Sequence, residues 1–244
     1  MSQKKDKKPE LSEEERMQRG SQTTTILSFG IIIVTVLILL FAGIYLYIDS
    51  IQNHSDSTNT TDAFRFKNEY ESLNGKKDQE GNLYPELTIS KQNPILYISS
   101  DEVLKLLDSG TGIIYIGSPK NSDCREIIPI LMSVSAELGV DEVYYFDATS
   151  IRDEKERNPE TNEIETITEG TEEYYDIVSR LEEYLPTYEG LEDETIKRLY
   201  FPTVVAVKNG EVVASHTGSI DEDGTSEEEL KNIYKDMIEK TVKF

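Results

Sequence analysis

The chain has 244 residues, one cysteine, two histidines and no tryptophan, and its 47 acidic residues against 25 basic ones leave a net charge of −22. That balance argues against a nucleic-acid partner, because phosphate backbones need a basic face, and it disfavours adhesion to anionic lipid. A single cysteine closes no internal disulfide, and no cysteine–histidine constellation for a metal exists, so neither a metal nor another cofactor is expected.

Residues 1–25 form a basic tail carrying Lys4, Lys5, Lys7, Lys8, Arg16 and Arg19. Residues 26–48, "ILSFGIIIVTVLILLFAGIYLYI", are 23 residues without a charge. As a helix rising ~1.5 Å per residue they reach roughly 35 Å, enough to cross a bilayer with some tilt. No small-residue cleavage triplet follows, so the segment reads as a retained anchor. The basic tail stays on the cytoplasmic side, which predicts a single-pass plasma-membrane protein whose C-terminal bulk is extracytoplasmic. Residues 49–62, "DSIQNHSDSTNTTD", are polar and read as a flexible stalk.

Residues 63–93 read as an N-terminal extension in which Phe64, Phe66 and Tyr70 mark a short helix and "GNLYPELTI" an edge strand whose pairing Pro85 limits. Residues 94–244 carry the main domain. "PILYIS" is a short strand, and "SSDEVLKLLDSG" a helix with Ser99 and Glu102 spaced as a capping box and Gly110 as its stop. "TGIIYIGS" is a second strand. After it, Ile127, Ile128, Leu131, Val134 and Leu138 recur at helical spacing up to Gly139, and "DEVYYFDA" is a third strand.

An insert over 149–200 holds 16 acidic and 6 basic residues. Its first part, "IRDEKERNPETNEIETITEG", reads as an exposed loop. Its second part reads as a helix that buries Tyr174, Ile177, Val178, Leu181 and Leu185, ends at Pro186 and packs on the main domain. "TVVAV", Asn209-Gly210 and "EVVAS" spell a hairpin, and a last helix opens with Ser226 and Glu229 as a second capping box. Asp221, Asp223 and Gly224 fit part of a calcium loop, but the position needing a bidentate glutamate falls on Leu230, so a polar turn is expected. Strand, helix, strand, helix, strand, insert, hairpin, helix predicts an α/β mixed sheet with helices on both faces.

The order of elements, together with "YIGSPKNSDCREIIPIL" (115–131) and "YFPTVVAVKNGEVVASHTG" (200–218), resembles the thioredoxin-like superfamily. It is most similar to the membrane-anchored proteins of Gram-positive bacteria often called bacteriocin transport accessory proteins. The similarity covers most of 64–241. The family has a strand, a CxxC and a helix with a proline five residues after the second cysteine, a separation that Cys124 and Pro129 keep. The resemblance makes Pro202 the candidate cis-proline and implies that Phe201, just before it, offers backbone hydrogen bonds to an extended substrate.

The redox motif departs from that pattern. In the family the first cysteine attacks a substrate disulfide and the second resolves the mixed disulfide. Here Asn121, Ser122, Asp123 and Cys124 occupy the motif, so only the resolving position keeps its thiol and two-thiol exchange is excluded by stoichiometry. Lys120 stands where many relatives carry an aromatic, and Tyr115 where cytosolic thioredoxins place a buried acid. Asn121 and Ser122 are good N-caps and Asp123 complements the helix dipole. Two readings of Cys124 stand: a small buried packing residue, or a reactive single thiol at a helix N-terminus. The expected function is a membrane-tethered, redox-degenerate module that binds an exported or envelope polypeptide. The alternative is a monothiol oxidoreductase using Cys124.

Overall fold

Alternation within one strand decides the layering. In a computed structural model that describes residues 62–220 and 224–242, Ile113 and Tyr115 of β2 (Gly112–Ile116) point to one core and Ile114 and Ile116 to the other. The basic tail, the anchor at 26–48, the stalk up to residue 61, and Asp221 and Asp223 lie outside the described residues. Among the described residues no helix is long and apolar enough to cross a membrane, and no cluster of acidic, histidine or cysteine side chains could hold a metal.

A helix over 62–71 (α1) precedes β1 (Ile95–Tyr97), α2 (Ser100–Ser109), β2, α3 (Ser122–Glu137) and β3 (Val143–Phe146). The insert supplies β4 (Glu154–Arg157), β5 (Ile164–Thr168), α4 (Glu172–Leu181) and a 3-10 turn over Glu182–Tyr184. β6 (Thr203–Lys208), β7 (Glu211–Thr217) and α5 (Glu227–Val242) complete the order. The main sheet runs β1-β3-β2-β6-β7, with β1, β3 and β2 parallel and β6 and β7 antiparallel. One face is covered by α1, α3 and α5, the other by α2 and α4, as the element order predicts.

Local chemistry sets the element ends. Ser99 and Glu102 close a reciprocal capping box on α2, and Ser226 and Glu229 exchange the same bonds before α5. Asn209 and Gly210 take φ of 53° and 81°, the left-handed geometry of a tight hairpin between β6 and β7. On α4, Tyr174, Ile177 and Leu181 are buried and Val178 half-buried, and Leu185 lies buried just past the 3-10 turn, so the insert does pack on the sheet.

Two expectations fail. "IRDEKERNPETNEIETITEG" is not a plain loop: β4 and β5 pair as a hairpin turned by Asn158, whose side chain accepts from Glu160 N–H at 2.8 Å, and by Asn162 at φ 61°. "GNLYPELTI" joins no sheet. Its extended part is held by side chains of the α1 region instead: Asn74 bonds both backbone groups of Leu87, Glu71 accepts from Ile89 N–H, and Lys67 donates to Ile89 C=O. Phe66, Tyr70, Leu87 and Ile89 are buried in the main core, so 63–93 is part of the domain and not an appendage.

Candidate functional site

The register of β2 on β6 brings the candidate residues to one end of the sheet. Ile116 pairs with Thr203, so the Gly117–Ser118 turn into α3 lies beside the Phe201–Pro202 peptide that enters β6. That peptide is cis. Pro202 is buried and its C=O accepts from Gly218 N–H at 3.0 Å. Among the described residues Phe201, which is half-buried, makes no backbone hydrogen bond of its own.

At the start of α3, Asn121 is the N-cap in extended conformation, and its Oδ1 accepts from Cys124 N–H at 2.7 Å. The amide thus does a backbone task at the position where the family pattern has a nucleophile. Ser122 and Asp123 fill the first turn and are half-buried, with the Asp123 carboxylate favourably placed on the helix dipole.

Cys124 is fully buried. Its sulfur accepts from Ser118 N–H at 3.3 Å and lies beside the Tyr115 hydroxyl, which favours its charged form. The Tyr115 and Tyr70 hydroxyls share a hydrogen bond at 2.8 Å, so Tyr70, Tyr115 and Cys124 meet in one buried corner. Tyr145 stacks on Tyr115 and donates to Gly117 C=O at 3.2 Å. Burial pushes the Cys124 thiol up to about 12; the bonds from Tyr115 and Ser118 oppose that shift, and the charges of Asp123 and Asp147 add to it. At neutral pH the thiol is therefore held in its neutral form, the poor nucleophile of the two. Gly117 leaves this corner its space: a Cβ there would come within 2.5 Å of the Tyr115 hydroxyl and 2.7 Å of the sulfur.

Arg125 follows the thiol in the sequence, and nothing in the sequence pattern marks it. It is fully buried, donates to Tyr70 C=O at 2.7 Å, Pro85 C=O at 2.8 Å and Asn74 Oδ1 at 2.7 Å, and sits against the Tyr84 ring. A guanidinium suits this task because its donors fan out in a plane toward several acceptors at once. It ties the end of α1 and the 84–87 segment down on the start of α3. The extension therefore lies over the helix terminus that the resemblance marks as redox site.

No family model matches the sequence, and no curated protein matches it. Among solved structures, thioredoxin from Trypanosoma brucei brucei is similar at 12% identity with a TM-score of 0.35, covering 63% of this chain and 99% of that one. The expected mixed sheet with flanking helices is present, with a cis-proline opening β6 and a helix that starts beside it.

Proposed function

We propose that this protein is a redox-degenerate thioredoxin-fold module that binds an extended segment of an exported or envelope polypeptide at Phe201, tethered to the membrane through residues 26–48. The unpaired backbone of Phe201 beside cis-Pro202 carries the reading: an N–H and a C=O left without partners where the chain enters β6 are what an extended segment can pair with. The state of Cys124 speaks against the monothiol alternative, since the thiol is buried, un-ionised and occupied as a hydrogen-bond acceptor.

The test places a benzophenone amino acid at position 201 of the full-length chain in intact cells, with a second one at the exposed Leu83 as a control. Irradiation is expected to give discrete adducts with envelope or exported polypeptides from position 201 and not from 83. The purified chain is expected to leave insulin disulfides intact. Rapid disulfide reduction that Cys124→Ser abolishes, without adducts from 201, would replace this reading by the monothiol one.

A further inference from the structure

One arginine lies on Phe201 and a second on the neighbouring Tyr200, a grouping that the net charge of the chain makes unusual. Arg152 lies over the Phe201 ring, 4.3 Å from its centroid, and donates to Leu199 C=O at 3.3 Å. Arg198 lies over the Tyr188 ring at 4.3 Å and near the Tyr200 ring at 5.4 Å, and donates to Asp153 C=O at 3.4 Å. The aromatic faces fix both guanidiniums in place while leaving most of their N–H donors uncommitted.

Neither has a carboxylate within ion-pair distance among the described residues, although the chain carries 47 acidic residues. The buried Asp153 beside Arg152 in sequence pairs with Lys155 through Oδ2 at 3.0 Å, while its Oδ1 is buried without a hydrogen-bond partner. The Nε of Arg198 is buried without a hydrogen-bond partner. Both arginines are half-buried, and the two charges repel: burial first and Arg198 next hold the Arg152 pKa down. Two partly desolvated cations side by side, with donors to spare, are at a cost that an anion removes.

We propose that Arg152 and Arg198 form a carboxylate-recognition pair, so that the polypeptide engaged at Phe201 is selected for an acidic group beside the paired strand. The inference rests on the Phe201 reading, because that reading places the segment against the Arg152 side chain. Arginine is the residue suited to the task, since its planar fork meets both carboxylate oxygens. The acidic group is an Asp or Glu side chain or the free end of a chain, and the experiment separates these.

The full-length chain is used to select from a random octapeptide library fused at its C-terminus, so that only side-chain carboxylates are free. Asp or Glu is expected to be enriched at one position. In the synthetic peptide, amidated at its end, exchanging that acid for Gln or Asn is expected to weaken binding roughly tenfold, the scale of one charge-assisted hydrogen bond. The variant R152Q/R198Q is expected to bind the acidic and amide peptides equally, at the affinity the wild type shows for the amide; the single variant R198Q should lose part of the preference without disturbing Phe201. If the amide peptide recovers when its C-terminal amide is replaced by a free carboxylate, the pair reads a chain end, which also supports the proposal. Selected binders without acidic preference, or a preference that survives R152Q/R198Q, would overturn it and leave the Phe201 reading standing. A selection that yields no binder would overturn both.

Discussion

Cys124 accepts from a buried backbone donor, so its loss is felt beyond its own volume. Cys124→Ala leaves the Ser118 N–H unpaired and opens a small cavity beside Tyr115, a combined cost of about 2–3 kcal/mol. Cys124→Ser keeps an acceptor and is expected to lose about 1 kcal/mol less. Urea unfolding at unchanged m-value measures both, and equal losses would show that the sulfur's hydrogen bonds contribute nothing. The same burial sets reactivity: at pH 7 a maleimide should modify the native thiol only as fast as the domain opens, and modify the urea-unfolded chain at once. Part of this residue was legible in the sequence. Its place one turn into a helix behind Asn121 follows from local capping chemistry. Tyr115 was visible as an odd residue on a strand, but its bond to Tyr70, 45 residues away in sequence, has no local signature.

Local rules also explain which elements were readable. Ser99 with Glu102, Asn121, Asn209-Gly210 and the stripe of α4 act over a few residues, and each is found where the pattern puts it. The β4–β5 hairpin escaped because β4 is all charged and the two isoleucines of β5, Ile164 and Ile167, fall on opposite faces, so no alternation shows; Arg157 of β4 ties it to Leu191 C=O. The extension escaped as a structural part because side chains of α1, not a neighbouring strand, satisfy its backbone. Arg125 is the fastening, and Arg125→Met removes donors to three oxygens at a cost of about 3 kcal/mol. The variant is expected to expose Cys124 to maleimide faster than its lowered global stability accounts for; modification that merely tracks global unfolding would mean the extension does not shield the thiol. The second fastening is acid-sensitive. The Ile89 N–H, and then Lys67, hold the Glu71 carboxyl below its ordinary 4.5. A carboxyl depressed in the folded state contributes stability above its unfolded value and loses it as pH falls through the folded one. The wild type should therefore melt above Glu71→Gln at pH 7, and the gap should narrow as pH falls below 4.5 and Glu71 takes up its proton. A gap that does not narrow with falling pH would assign Glu71 a role independent of its charge.

Across the whole molecule the excess of acid outweighs what the ion pairs return. Pairs such as Arg65 with Glu69, Arg180 with Asp108 and Lys240 with Asp236 are exposed, and such pairs contribute roughly 0.2–1 kcal/mol each and weaken with salt. Self-repulsion of a net charge of −22 acts between many residues at once and is weakened by the same salt. From ~10 mM to ~150 mM ionic strength the screening length drops from roughly 30 Å to 8 Å, which removes repulsion across the domain but leaves contacts of 3–4 Å largely in place. Repulsion is the larger quantity, so the unfolding midpoint is expected to rise by roughly 2–4 °C over that range, equally in sodium chloride and sodium acetate. A falling midpoint would mean that the surface pairs outweigh the net charge, and a rise in only one salt would indicate a bound anion. The same asymmetry between near and far charge bears on partner choice. An acidic segment approaching this chain meets repulsion at long range and attraction only close to Arg152 on Phe201 and to Arg198, so salt should speed its association while scarcely changing its dissociation. Slower association at higher salt would show that local attraction, not the net charge, governs the approach.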